Sequence, residues 1–172
     1  MTLQQFWKII ESSRSGFDPK RTDGNMELQR ADLRRLLSLL PPAEIIDFQK
    51  HFSARMEEAY HWDLWGAAYI IGGGCSDDSF MDFRSWLISM GRRVFTDAVA
   101  DVNSLLEVAD APGVEDAFFE EFQYVPGQTY EALTKRELPR SSVASRDEPA
   151  GKDWREEDLE RRFPKLWARY AD

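Results

Sequence analysis

The sequence predicts an all-α fold: a single compact domain of about seven or eight helices, with a C-terminal segment strapped over the body. Three observations lead to this prediction. Apolar residues recur three and four positions apart through most of the chain, whereas the alternation typical of strands is almost absent. A chain of 172 residues can bury one core without disulfides or metal. Hydrophobic residues make up 42% and aromatic residues 13%, which excludes disorder for the body and predicts an aromatic-rich core.

The first three helices have recognisable starts and ends. Thr2 and Gln5 form a capping-box pattern, and the first helix is expected to end at the serines before Gly16. Leucines at helical spacing predict a second helix, which Pro41 and Pro42 terminate. Pro42 also suits the first turn of the third helix. The inner face of this third helix is predicted to carry Ile45, Phe48, Phe52, Met56 and Ala59.

Residues 64–71 are apolar nearly all round, which predicts a central helix enclosed by its neighbours. The three glycines at residues 72–74 are expected to end it, because glycine enters the left-handed conformation without penalty. Ser76 or Asp77 then caps a further helix, and Gly91 is a point at which that helix could divide. Its predicted inner stripe consists of Phe80, Phe83, Leu87, Met90 and Val94.

The following part of the chain has weaker helical signals. A helix containing Phe118, Phe119 and Phe122 is expected. A break is predicted at Pro126 and Gly127, because proline removes a helical hydrogen bond.

Composition divides the chain into three parts. Residues 1–135 are predicted to form the helical body, and residues 136–152, which are polar and charged, a mobile loop or linker. Residues 153–172 belong to the same domain, and Asp153 with Glu156 forms a capping-box pattern for a C-terminal helix. Three apolar residues are expected to hold this tail on the body as a lid or strap: Leu166, Trp167 and Tyr170.

Charge and cysteine content restrict the compartment and the partners. With 22 basic and 31 acidic residues, the formal net charge is −9, which disfavours a nucleic-acid partner. No apolar run approaches the roughly 18 residues that span a bilayer, and the N-terminus lacks a signal-peptide pattern, so no membrane association is predicted. One cysteine cannot form an internal disulfide. These features predict a soluble, cytoplasmic protein.

The turn at residues 72–78 concentrates the candidate site residues. Cys75 precedes a helix N-terminus, which could activate it as a nucleophile if His61 or His51 acted as its base. The aspartates that follow it would instead raise the pKa of its thiol, and lone cysteines are commonly small buried hydrophobic residues. The structural interpretation of Cys75 is therefore favoured.

The glycine-rich turn is a possible anion site, and the aspartates that follow it are a possible cation site. The glycines before Ser76 are not followed by the lysine of a phosphate-binding loop, and carboxylates stand where a phosphate would bind. Asp77, Asp78 and Asp82 offer oxygen ligands for Mg²⁺ or Ca²⁺, but their spacing matches no calcium loop and acids are common in a first helical turn. A zinc site would lack ligands. Neither a metal nor a cofactor is predicted.

Asp63 and Arg84 are charged residues in aromatic surroundings, where a charge normally needs a partner. The structural hypothesis is that they form an ion pair between the two central helices. In the functional alternative, Arg84, with or without Arg92, receives a carboxylate or phosphate group from a ligand.

Several motifs resemble the bacterial family known as domain of unknown function 4240. They are FWKII at residues 6–10, WDLWGAAY at 62–69, GGGCSDD at 72–78, FRSWLI at 83–88 followed by Gly91 and Arg92, and RFPKLW at 162–167. The resemblance covers most of the chain outside residues 136–152. It implies a soluble bacterial protein and supplies no catalytic residue.

Two classes of function are consistent with these patterns. The first is a protein-binding or regulatory module, for example an antitoxin-like or immunity-like protein that masks a basic partner. The second is an enzyme with its site at the turn of residues 72–78. The module is favoured because no nucleophile–base pair is evident, and exposed aromatic residues are equally consistent with a homodimer face. The candidate ligand-binding residues are Asp63, Cys75, Ser76, Asp77, Asp78 and Arg84.

Overall fold

A computed structural model, which describes residues 1–171, confirms the all-α prediction. Within these residues there are nine α-helices, two short 3₁₀ helices and no strand. The α-helices are α1 (Leu3–Ser13), α2 (Asn25–Ser38), α3 (Pro42–Glu58), α4 (Trp62–Gly72), α5 (Asp77–Ser89), α6 (Arg92–Ala100), α7 (Glu120–Thr134), α8 (Leu159–Arg162) and α9 (Pro164–Tyr170). The 3₁₀ helices span Val102–Glu107 and Glu156–Asp158. None of these helices combines the length and the apolar composition needed to cross a membrane.

Local capping signals place the helix ends where the sequence predicts them. The Thr2 hydroxyl accepts a hydrogen bond from the Gln5 backbone N–H (3.2 Å), and the Gln5 side chain accepts one from the Thr2 N–H (2.7 Å). Pro42 is the first residue of α3. Gly73 ends α4 with φ +64°, and Ser76, one of the two predicted caps, accepts a hydrogen bond from the Ser79 N–H at the start of α5.

The core is rich in aromatic residues, as predicted. Helices α3, α5 and α7 pack against one another, α2 lies along α7, and α1 contacts α2, α3 and α5. Six phenylalanines are fully buried in the core of the described residues: Phe6, Phe48, Phe80, Phe83, Phe95 and Phe122.

Aromatic stacking joins α4 to α5. The ring of Trp65 stacks on that of Phe80, with centroids 5.0 Å apart and ring planes 10° apart. The indole N–H of Trp65 also donates to the Cys75 carbonyl (3.0 Å), which is in the turn between the two helices. Trp65 therefore stabilises both the turn and the packing of α4 against α5, the two helices that the turn connects.

The predicted break at Pro126 and Gly127 is wrong, because α7 continues through both residues. Proline cannot donate the hydrogen bond that the Phe122 carbonyl would receive in a regular helix. Phe122, Val125 and Pro126 are nevertheless buried on one face of α7, and this packing holds the helix together across the missing bond. The start of α7 also differs from the prediction, which placed Phe118 and Phe119 inside the helix. Phe119 is instead the N-cap, and the helix begins at Glu120.

The C-terminal segment packs on the body as the predicted strap. Leu159 and Leu166 are fully buried, and α9 contacts α4 and the 3₁₀ helix at Val102–Glu107. The predicted capping box of Asp153 and Glu156 does not form: Asp153 instead accepts a hydrogen bond from the next residue's N–H. Asp172 lies outside the described residues.

Residues 136–152 contain no helix in the structure, and part of the segment contacts the body. The Ala150 N–H donates to the Tyr60 carbonyl and the Trp62 N–H donates to the Ala150 carbonyl, both at 2.9 Å. Nearer the middle of the segment, the Arg146 N–H donates to the Glu57 carboxylate (3.0 Å). The mobility of this segment remains a prediction.

Gly66 provides a test of how closely the strap packs on α4. A Cβ atom at this position would lie 2.7 Å from the Phe163 ring, nearer than real Cβ contacts allow. We expect Gly66→Ala to lower the free energy of unfolding by about 1–3 kcal/mol, because an overpacked core must shift its neighbours. The measurement is denaturant unfolding monitored by tryptophan fluorescence.

Gly127→Ala is the matched control, since it is also a glycine-to-alanine change within a helix. A Cβ atom at Gly127 would have no neighbour within 4 Å. This variant is expected to gain about 0.5–1 kcal/mol, because alanine loses less backbone entropy on folding. Equal stabilisation by the two substitutions would contradict the close packing inferred at Gly66.

Candidate functional site

The turn at residues 72–78 does not gather the predicted site residues around one cavity. Ser76 is the N-cap of α5, and its hydroxyl accepts a hydrogen bond from the Ser79 backbone N–H (3.2 Å). Asp77 and Asp78 are exposed in the first turn of that helix. These three residues have the positions expected of an ordinary helix start.

Cys75 has the properties of a structural cysteine. Its side chain is half-buried, and its thiol lies 3.6 Å from the Ser76 carbonyl oxygen. Burial, followed by the negative charge of Asp82, raises the pKa of the Cys75 thiol to about 12. The thiol is therefore protonated at neutral pH, and the nucleophile hypothesis has no support in this environment.

Asp82, the third aspartate of the possible cation site, faces α7 and is engaged there by hydrogen bonds. Its side chain accepts a hydrogen bond from the Gln123 amide (3.1 Å), and its backbone carbonyl accepts one from the Phe119 N–H (3.0 Å). Across residues 1–171, no three histidine, cysteine, aspartate or glutamate side chains are grouped so that they could hold a metal ion.

The predicted ion pair between Asp63 and Arg84 is wrong. Asp63 pairs with Arg162, which also donates to the Lys152 carbonyl (2.7 Å) and to the Asp153 carbonyl (3.1 Å). The partner of Asp63 thus comes from the C-terminal segment, 99 residues along the chain, and the ion pair holds this segment to the start of α4.

Arg84 is buried by a different set of contacts. Its guanidinium carbon lies over two aromatic rings, 4.6 Å from the Tyr60 centroid and 4.9 Å from the Phe80 centroid. Its Nη1 donates to the Met56 carbonyl in the last turn of α3 (2.9 Å), and its Nε donates more weakly to the Phe80 carbonyl (3.4 Å). Within the described residues Arg84 forms no ion pair.

Arg84 lines a groove of about 320 Å³ between α3, α5 and α7, partly covered by residues 141–145. We call this the Arg84 groove. Five of its lining residues present apolar or aromatic surface: Phe52, Met56, Met81, Tyr124 and Val143. Five others are uncharged and polar: Gln49, Ser53, Gln123, Ser141 and Ser145.

A second groove, of about 490 Å³, lies where the start of α7 meets α2 and α5. We call it the acidic groove. Its lining includes six carboxylates: Glu27, Asp82, Glu115, Asp116, Glu120 and Glu121. Arg30 also lines it and pairs with Glu27 (2.8 Å). The remaining five carboxylates form no ion pair among the described residues.

Burial and mutual repulsion both act on Asp82. Burial, followed by the charge of Glu120, raises the pKa of the Asp82 carboxyl above its usual value, while the Gln123 hydrogen bond acts in the opposite direction. The charges of Asp78 and Glu121 raise it further. The acidic groove therefore holds its negative charge at an energetic cost.

Sequence reasoning did not identify the acidic groove. Its residues come from three separate parts of the chain, so no single motif contains them. One signal was available, since residues 115–121 hold four acids around a pair of phenylalanines. Acids flanking aromatic residues on a short connection could have indicated a polar groove with an aromatic wall.

The chain belongs to the family described as "Protein of unknown function (DUF4240)", whose model matches residues 1–132. This confirms the family resemblance for the motifs between residues 6 and 92. The match ends before the RFPKLW motif at residues 162–167. Comparison with curated proteins and with solved structures finds no match.

The environment of Cys75 predicts slow alkylation. At pH 8 the folded protein should react with iodoacetamide on the order of a hundredfold or more slowly than a cysteine in an unstructured peptide, because the thiolate is the nucleophile. Intact-mass spectrometry over time measures the rate. In 6 M guanidinium chloride the rate should rise to that of the peptide, and a folded protein that already reacts at the peptide rate would contradict the raised pKa.

Proposed function

We propose that this protein is a binding module that docks a basic segment of a partner protein in the acidic groove. The observation that carries this proposal is the set of five carboxylates that line the groove without an ion-pair partner within residues 1–171. A partner with lysine or arginine side chains would supply the missing positive charge. This is the chemistry expected of an immunity-like or antitoxin-like protein that masks a basic surface.

The electrostatics of the groove favour association with a cation. Burial and then the charge of Glu120 raise the pKa of Asp82, so the folded protein contains repulsion that a bound cation would relieve. Each exposed ion pair contributes only about 0.2–1 kcal/mol, so several would have to act together. A concentrated negative field also accelerates encounter with a basic partner at low salt.

The walls of the groove suit long basic side chains. Phe118 and Phe119 line it alongside the carboxylates, and Phe118 is half-buried against Phe83 with ring centroids 5.8 Å apart. The aliphatic stem of a lysine or arginine can pack on such a surface while its charged end reaches a carboxylate. Glu115 is held in place by accepting a hydrogen bond from the Met26 N–H (2.9 Å).

The alternative, an enzyme at the turn of residues 72–78, has less support. Asp63 is paired with Arg162, Cys75 carries a protonated thiol, and Arg84 lines a different groove. Catalysis requires the reacting groups to lie within hydrogen-bonding reach of one substrate position. Nothing in these contacts brings the candidates to a common point.

Neutralising the groove tests the proposal. The triple variant Asp82→Asn, Glu120→Gln and Glu121→Gln should bind a fluorescent octalysine peptide at least about tenfold more weakly than the original protein, because three charges facing the ligand are removed. Fluorescence anisotropy at about 20 mM salt measures the affinity. Raising the salt to about 200 mM should also weaken binding, since screening shortens the range of the field.

A second triple variant controls for the change in net charge. Glu107→Gln, Glu131→Gln and Glu137→Gln also removes three exposed carboxylates, none of which lines the acidic groove. It should retain the original affinity to within about twofold if the groove is the docking site. Equal weakening by both triple variants would mean that octalysine responds only to net charge, and the proposal would fail.

A further inference from the structure

The Arg84 groove differs from the acidic groove because a buried positive charge lines it. Arg84 is only 7% exposed, although arginine is almost never buried without a counter-charge. From this buried guanidinium and the cavity in front of it, we infer that the Arg84 groove is a binding site for a small organic carboxylate. This inference concerns a separate groove and does not depend on the docking of a basic segment.

The guanidinium has unused hydrogen-bonding capacity. An arginine side chain carries five N–H donors, and the hydrogen bonds of Arg84 to the Met56 and Phe80 carbonyls use two of them. The bond to Met56 caps the last turn of α3, which is a structural role. The remaining donors form no ion pair with a carboxylate within residues 1–171. Burial lowers the pKa of the Arg84 guanidinium, and the charges of Glu57 and Asp77 offset this effect without pairing with it.

Neighbouring groups hold the guanidinium in a fixed orientation. The rings of Tyr60 and Phe80 lie against it, and the two carbonyls restrict its rotation. A fixed planar guanidinium matches the two oxygens of a carboxylate, with which it can form parallel hydrogen bonds. The side chain is thus preorganised for a carboxylate before any ligand arrives.

The remaining walls determine which carboxylate fits. A volume of about 320 Å³ is at the lower end of the range of small-molecule sites. The groove favours a ligand whose remaining part is apolar, because its walls include Phe52, Met56, Met81 and Tyr124. The serines of residues 141–145 also line the groove. Glu57 also lines the groove, which disfavours a phosphate dianion relative to a singly charged ligand.

Benzoate is a suitable probe, because it joins one carboxylate to a small apolar body. We expect saturable one-to-one binding, followed by ¹H–¹⁵N NMR, with the largest shifts at residues of the groove. Benzamide is the neutral analogue, and inorganic phosphate is the competing anion. Both should bind at least tenfold more weakly than benzoate.

Three variants locate the site. Arg84→Met removes the charge, and Arg84→Lys keeps the charge but removes the planar pair of donors. Ser53→Phe fills the groove from α3 without changing Arg84. Each of these three variants should weaken benzoate binding at least tenfold. Arg84→Lys and Ser53→Phe remain informative if Arg84→Met does not fold.

Arg93→Met is the control, because it removes an exposed arginine on α6 that does not line the groove. This variant should bind benzoate with an affinity within twofold of that of the original protein.

Three outcomes would overturn the inference. The first is that benzoate shows no saturable binding up to tens of millimolar. The second is that folded Arg84→Lys and Ser53→Phe proteins bind benzoate as well as the original protein does. The third is Arg84-dependent binding of phosphate in preference to benzoate, which would assign the groove to a different class of anion.

Discussion

The stack of Trp65 on Phe80 is the contact on which the rest of the structure depends. The chain can bring these two rings together only because Gly73 adopts the left-handed conformation and reverses its direction. Trp65 then closes the turn through its hydrogen bond to the Cys75 carbonyl. Phe80 also lies against the guanidinium of Arg84, so the same stack that joins α4 to α5 sets the position of the buried charge.

How much of the structure could be predicted depended on the range of the interaction. The caps at Thr2 and Ser76 were predictable because each uses residues within one helical turn. The course of α7 through Pro126 was not, because its helix is held by core packing that no local pattern encodes. The surroundings of Arg84 were likewise predictable only in part: its aromatic neighbours along the sequence indicated burial, but the cavity in front of it is built from four separate segments.

The two grooves lie on either side of one polar contact between α5 and α7. Gln123 lines the Arg84 groove, and its amide donates to Asp82, which lines the acidic groove. Tyr124 makes a similar link, because its ring lines the Arg84 groove and its hydroxyl donates to Glu120 (3.1 Å). The acidic groove and the Arg84 groove, which is lined by one positive and one negative residue, are thus connected by side chains on one turn of a helix.

The backbone hydrogen bonds of Ala150 determine which part of the chain would move if the segment that partly covers the Arg84 groove opened. Residues 136–149 are anchored at both ends, by the end of α7 on one side and by the parallel bridge between Ala150 and His61 on the other. Such a segment behaves as a closed loop, and the entropy of moving it depends only weakly on its length. Opening of this segment would break local contacts, such as the hydrogen bond from the Arg146 N–H to Glu57, while the helices beyond the bridge stay packed on the core. Access and folding would then be separate equilibria, so the frequency of opening could change through substitutions in the loop without altering the global stability of the domain.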